Sequence, residues 1–333
     1  MLNIYFDFDY IKTKKVFITK NIKHSKILNL FIMFSKYFKR PLYENLIFVG
    51  PHKRINNLIK SFYDEEVSMN KYKFNNTYIV NFDTKSEIIL NELANNSNNK
   101  ILVGPLFNLE FQKKLITYTN KFSNVKMLVA SNQAYKNIVE ELKFDVDPNN
   151  VLICPSGVIS QKELDKNKNI TERKDKCLIY FKNRSNKELK QITDFLESRN
   201  IIYEIFDYGS YKNKKLKKAS KEYKFGIYLA GVESQGFAVQ EMMACNLPLY
   251  AWDDLKYNTE RLETYYQGKG LTGSSLTYWQ EENGFVVYSY SEFINYFDEF
   301  LSKVSDFKPY KIIEEQLTFE VFKSNLINQF NKF

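Results

Sequence analysis

Two glutamates, Glu233 and Glu241, stand with seven residues between them in "ESQGFAVQEMMACNLP" (233–248). A carboxylate can accept two hydrogen bonds from a vicinal diol, so a pair of them suits two sugar rings. The preceding "FGIYLAGV" reads as a buried strand, and the segment from about Gln235 reads as a helix. Gly231 lies in the turn, and Gly236 sits where the helix opens and lets a ligand approach the backbone. A helix N-terminus offers unpaired amides and a partial positive charge, which suits an anion. Ribose at one carboxylate, a second sugar at the other and a diphosphate between them describe a nucleotide sugar. Spacing alone also fits two surface glutamates that happen to fall eight apart, so the surroundings must carry the specificity.

Such groups need elements to position them. Short apolar runs read as buried parallel strands: "KVFIT" (15–19), "NLIFVG" (45–50), "YIVNF" (78–82), "ILVG" (101–104), "KMLVA" (126–130) and "VLICP" (151–155). Amphipathic stretches lie between most of them, such as "QAYKNIVEELKF" (133–144). Strand and helix in alternation give an α/β domain with a parallel sheet. Near residue 157 the rhythm breaks into "PSGVISQKELDKNKNITERKDK", which reads as a solvated linker. The alternation then restarts with strands at 177–181, 201–206, 225–230 and 247–252, and helices at 186–199, 212–223 and from about Gln235. The run "YKNKKLKKASKEYK" reads mostly as a solvated helix face. Two α/β units joined by a polar linker leave a cleft, and ligands of open α/β sheets bind beyond the carboxyl ends of the strands.

Composition narrows the class. The chain has 333 residues, 44% hydrophobic and 26% charged, which suits two globular domains rather than a disordered chain. The net charge of +9 favours anionic partners, although a chain so rich in Lys, Asn, Ile, Tyr and Phe also has the composition that AT-rich genomes tend to produce, a second source for such a charge. No nucleic-acid-binding module is recognisable, so nucleic acid is not expected as a partner. Cys154, Cys177 and Cys245 are widely spaced, odd in number and set in apolar surroundings, which reads as buried, reduced core residues. "MLNIYFDFDY" has acids where a signal peptide would be basic, and no apolar run approaches the roughly twenty residues of a membrane helix. A cytoplasmic protein is expected.

The segment around the two glutamates resembles the donor-binding motif of retaining glycosyltransferases of the two-domain GT-B fold, with a Glu-x7-Glu signature. That pattern runs Glu, Gly, a small apolar stretch, Glu, then small residues closing on Gly-x-Pro. Here the chain has Glu233, Gly236, Glu241 and then "MMACNLP". The departure is Asn246 where the family usually has Gly, and Asn tolerates left-handed backbone angles better than most residues. "SNQAYKNIVEELKFDVDPNNVLICPSGV" (131–158) looks like the family's last N-domain helix and strand. "SSLTYWQEENGFVVYSYSEF" (274–293) is similar to the stretch after the donor site, and "LTFEVFKSNLINQF" (317–330) to the terminal helix that crosses back to the first domain. The resemblance is good from about residue 100 onward and thin before it.

The resemblance implies an α/β GT-B fold of two Rossmann-like domains with parallel sheets facing a central cleft. An acceptor-side domain would span 1–157, a donor-binding domain 158–316, and a terminal helix 317–333. Glu233 would contact the donor sugar, Glu241 the ribose, and the amides around Gln235, Gly236 and Phe237 the diphosphate. For a basic residue on the phosphates, Arg184 is the first choice within "YFKNRSNKE", with Lys182 and Lys187 as candidates; an Arg capping a helix in solvent is the plainer reading. His52, in "VGPHKR", stands in the kind of loop where some relatives place a histidine against the donor sugar, although a satisfied loop histidine has the same setting. The implied reaction moves a sugar with retention from a nucleotide-diphosphate donor, a UDP- or GDP-sugar as co-substrate, to a glycan or lipid-linked acceptor. No cofactor or metal is called for. Asp-x-Asp occurs at 7–9 and 145–147, in contexts that do not suit metal-dependent transfer. Residues 23–40 carry basic and apolar side chains as a membrane-surface helix would, giving a peripheral contact at the cytoplasmic membrane face, or as a core helix would. The alternative function is a catalytically inactive GT-B-fold protein that binds nucleotide sugars or serves structurally.

Overall fold

The computed structural model describes residues 76–80, 84–106, 109–142 and 144–333, and ahead of them only 2–5, 17–18, 46–47, 57–58, 61 and 68–69. The chain packs as two units. One comprises Met1–Val129, Asp145–Gly157 and Lys323–Phe333; the other comprises Ala130–Phe144 and Val158–Phe322. The stretch 130–144 therefore packs with the second unit, and the terminal helix Phe319–Gln329 is shared between the two sets of residues.

In the first unit the strands are β1 (Leu2–Tyr5), β2 (Phe17–Ile18), β3 (Leu46–Ile47), β4 (Ser68–Met69), β5 (Asn76–Ile79), β6 (Lys100–Val103), β7 (Val125–Val129) and β8 (Val151–Ile153). Six of them form a parallel sheet in the order β4-β1-β5-β6-β7-β8. Ile79, Ile101, Leu102, Val103, Val125, Met127 and Leu128 have no exposure, as expected for strands covered on both faces. Two expectations change here. In the runs at 15–19 and 45–50, the described residues 17–18 and 46–47 pair with each other and not with the parallel sheet: Phe17 with Ile47 and Ile18 with Leu46, antiparallel. The sheet place next to β5 is taken by β1, from the N-terminal stretch.

The second unit has β9 (Lys174–Lys182), β10 (Tyr203–Asp207), β11 (Tyr223–Ala230), β12 (Leu249–Trp252) and β13 (Gly284–Val287). They form a parallel sheet in the order β10-β9-β11-β12-β13. Side chains alternate between two cores with the period of two that a strand imposes. Leu178, Tyr180, Tyr228, Ala230, Leu249 and Ala251 line one face. Ile179, Phe181, Ile227, Leu229, Tyr250 and Trp252 line the other, against Phe293, Phe297 and Phe300 of the helix Tyr290–Ser302. Each fully buried aromatic contributes roughly 1.5–3 kcal/mol, so this face is a stiff backing for the sheet.

The stretch expected as a solvated linker is partly a helix. Ser160 accepts from the Glu163 amide and starts Gln161–Lys168, and Val158, Ile159 and Leu164 are buried in the first of those two cores. One apolar residue in a helix of this length leaves no period to read. The segment 133–144 splits into an α-helical turn, Asn132–Lys136, and a π-helical turn, Asn137–Glu141. The three cysteines are buried and free. Among the described residues no helix is long and apolar enough to cross a membrane.

The helix Phe237–Met243 that follows the glutamate turn ends in a device readable in "MMACNLP". Asn246 adopts φ 55°, its N–H donates to Met243 O at 2.8 Å, and the Leu247 N–H donates to Met242 O at 3.3 Å. These are the two bonds of a Schellman ending, and Pro248 then forbids continuation. Arg173 secures the same corner by donating to the carbonyls of Ser220, Tyr223, Cys245 and Asn246 at 2.8–2.9 Å. Asn246→Gly should leave stability within about 0.5 kcal/mol. Asn246→Val should lower it by about 1–2 kcal/mol, because a β-branched residue resists the left-handed region. Urea denaturation of both variants checks the assignment.

Candidate functional site

β9 and β11 lie side by side and end together, Lys182 opposite Ala230. Beyond them the chain must turn sharply twice. Asn183 takes φ 55°, and the Gly231 N–H donates to Lys182 O at 2.9 Å. A Cβ on Gly231 would meet Asn183 O at 3.2 Å and Asn183 Cβ at 3.3 Å, so the crossing fits glycine best. The result is that Lys182 Nζ and Glu233 Oε1 meet at 2.5 Å, with only 15% and 13% of their side chains exposed.

Burial pushes the Glu233 carboxyl above its ordinary value, and Lys182 only partly offsets this. The Lys182 ammonium also lies 4.6 Å from the centre of the Tyr208 ring, a cation–π contact at an exposed aromatic. Below the pair, Tyr180 and Tyr228 stack at 5.4 Å. The Tyr228 hydroxyl is buried and has no hydrogen-bond partner among the described residues; burial, then Glu233 and Asp253, hold it protonated.

Gly236 opens the helix Phe237–Met243 in the left-handed region, at φ 78°. A Cβ there would come within 3.0 Å of Val239 Cγ1 and 3.8 Å of Glu233 Cβ. Gln235 is buried and braces the turn rather than facing out. Its Nε2 donates to Gln240 Oε1 at 3.1 Å, and its carbonyl accepts from Gln240 Nε2 at 2.6 Å and Thr277 Oγ1 at 2.7 Å. Phe237 packs half-buried on the core of its unit.

Glu241 is 6% exposed within this helix. Asn213 Nδ2 donates to its Oε1 at 3.1 Å, and Lys217 Nζ lies 3.5 Å from the same oxygen. Burial lowers the Lys217 pKa, but Glu241 and then Glu163 more than offset it, and the net shift is upward. Both partners come from Asn213–Glu222, the helix whose lysines read as a solvated face. A lysine at one buried-side position among many exposed ones has no sequence signal of its own.

Arg184 is placed differently from the phosphate contact expected of it. Its side chain has no exposure and lies between Trp252 and Tyr257, 5.2 and 5.1 Å from their ring centres. Nε donates to both Glu188 oxygens at 3.2 Å, and Nη1 to Trp252 O at 3.0 Å and Ala230 O at 3.5 Å. It ties the ends of β11 and β12 together under the site. Lys187 is exposed in the first turn of Asn186–Ser198. Asp147 caps a short 3-10 turn by accepting from the Asn149 N–H at 2.9 Å. His52, Asp7 and Asp9, and residues 23–40, lie outside the described residues. The structure thus brings together Lys182, Glu233 and Gly236, and gives Glu241 its own partners.

No family model matches the chain, and no curated protein matches it in sequence. Solved structures do resemble it. The lipopolysaccharide outer core galactosyltransferase WaaB, in its apo form, is similar over 100% of this chain and 99% of that one, at 11% identity and a TM-score of 0.51. A TarM variant of S. aureus in complex with fondaparinux, alpha-GlcNAc-glycerol and UDP is similar over 77% of this chain at 14% identity and a TM-score of 0.48. This chain spans 55% of the TarM chain's length. The sucrose-phosphate synthase of Thermosynechococcus elongatus is similar over 86% of this chain and 80% of its own, at 13% identity and a TM-score of 0.46. At such identities the likeness concerns the fold, an α/β architecture of two parallel sheets as in GT-B glycosyltransferase structures.

The raised Glu233 pKa has a stability signature. Its protonated form is favoured by the fold, so its contribution is full below the ordinary value of 4.5 and is lost as pH rises through the raised one. Glu233→Gln should therefore gain melting temperature relative to the native chain as pH increases from about 4 to about 7. A difference that stays constant across that window would contradict the buried, charged geometry.

Proposed function

We propose that the protein is a glycosyltransferase whose second unit holds a nucleoside diphosphate sugar. The observation that carries this reading is the pair of acids flanking the left-handed turn at Gly236, beyond the carboxyl end of β11, Glu233 largely enclosed and Glu241 buried, each in contact with a lysine. The carboxyl edge of a parallel α/β sheet is where such folds bind ligands. The fold shared with WaaB is compatible with this reading, and the residue pattern resembles the retaining, two-domain class.

In this reading Glu233 accepts hydrogen bonds from the donor sugar and Glu241 from the ribose. Lys182 exchanges its contact with Glu233 for the diphosphate, and the backbone around Gly236 and Phe237 lies against the same group. Arg184 supports the floor without touching the ligand. Transfer breaks the bond between the anomeric carbon and the diphosphate oxygen, forms one to the acceptor hydroxyl oxygen, and passes that hydroxyl's proton to the departing diphosphate. A fixed ammonium and amides that meet the charge growing on the leaving diphosphate lower the barrier, because they need no reorganisation. Retention at the anomeric carbon, independence of a metal, and a glycan or lipid-linked acceptor belong to the same proposal and rest on the residue resemblance.

A thermal-shift screen against UDP, GDP, ADP and CDP and their sugars tests this. One nucleotide family should raise the melting temperature by mass action, equivalent to about 2.7 kcal/mol at a hundredfold excess over Kd. Glu241→Ala should abolish the shift. A native chain that responds to none of these ligands at millimolar concentration would support an inactive member of the fold instead.

A further inference from the structure

Asp253 follows β12 directly, and it is 2% exposed. Among the described residues no cation pairs with its carboxylate. Neutral donors hold it instead: Asn258 Nδ2 at 2.6 Å, Ser274 Oγ at 2.5 Å, the Ser275 N–H at 2.8 Å and Ser275 Oγ at 2.9 Å. Burying an anion costs several kcal/mol unless its lone pairs are satisfied, and here four donors satisfy them. What these bonds order is a loop without regular structure, 271–280.

That loop is the wall against which the glutamate turn rests. Ser274 O accepts from the Glu233 N–H at 3.2 Å, and Thr277 Oγ1 donates to Gln235 O at 2.7 Å. A Cβ at Gly236 would lie 3.9 Å from Ser275 O. At its near end the loop is also tied to Glu141, which accepts from the Thr272 N–H and Oγ1 at 2.8 Å each. Asp253 bonds to the side chains of both Ser274 and Ser275, two of the three loop residues that meet the turn.

We propose that Asp253 is a positioning residue for donor binding: through Ser274 and Ser275 it sets the height and direction of the turn that presents Glu233. This rests on the reading of Glu233 as a donor contact, but its structural half can be tested alone. Hydrogen exchange would be followed in the full chain for the native protein, Asp253→Asn, Asp253→Ala and the exposed-acid control Asp175→Ala. Asp253→Ala should speed exchange of the Glu233 amide and of 272–277 by roughly ten- to a hundredfold, the range expected for removing one buried acceptor. Exchange in β9 and β11 should stay as in the native chain. Asp253→Asn keeps an acceptor oxygen for the Ser275 N–H and should fall between the two, and Asp175→Ala should change nothing. Affinity for whichever nucleoside diphosphate stabilises the native chain should follow the same order.

Unchanged exchange at Glu233 in a folded Asp253→Ala, or faster exchange spread evenly over the unit, would overturn the proposal. If Asp253→Ala does not fold, Asp253→Asn decides by the same local-against-global criterion. A native chain that binds no nucleotide would defeat the donor reading alone, while the exchange arm would still report whether Asp253 holds the turn.

Discussion

The arrangement depends on how a sheet buried on both faces ends. β9 and β11 run through two apolar cores, and at their carboxyl ends the backbone must leave the hydrogen-bonded ladder within a few residues. At that point a lysine and a glutamate are brought into contact in a largely enclosed place. Two charges taken out of water repay their desolvation poorly, and a well-packed apolar pair would serve stability as well or better. Burial pushes the Glu233 carboxyl upward, the direction that desolvation of a carboxylate gives. In the proposed function the pair gives up this contact to a charged ligand.

The remainder of the second unit can be understood as support for that pair. Arg184 fastens the ends of β11 and β12 from beneath, and the aromatic layer of Tyr250, Phe293, Phe297 and Phe300 stiffens the sheet from the other face. Arg173 and the Schellman ending at Asn246 fix where the helix bearing Glu241 stops. Asp253 orders the loop on the third side. Arg184 and Asp253 are buried, and the groups they bond are the protein's own. Their work is to remove alternatives for the turn, and preorganised groups bind more tightly because less is lost in ordering them.

Much of this was legible in the residues themselves. Fully covered strands make uninterrupted apolar runs, so 177–181, 225–230 and 247–252 stood out and lie within or overlap β9, β11 and β12. Asn246 was readable as a left-handed helix ending because few other residues accept that geometry. Other features could not be read. β1 is four residues long beside a run of acids, and Leu164 is one buried position in a charged stretch. Arg184 looked like a phosphate ligand because its chemistry fits phosphate; only packing reveals Trp252 and Tyr257 on either side of it. The Asp253 knot joins residues about twenty positions apart through a loop with no periodic signal, and Lys217 is one lysine among many.

If Lys182 and Glu233 hold a nucleotide-sugar donor as proposed, their ion pair opens when the donor binds. The most direct test is a crystal structure with the stabilising nucleoside diphosphate sugar bound. Lys182 Nζ should lie on a phosphate oxygen, Glu233 on sugar hydroxyls and Glu241 on the ribose, with the ion pair broken. A nucleotide bound elsewhere, with Lys182 and Glu233 still joined, would contradict it.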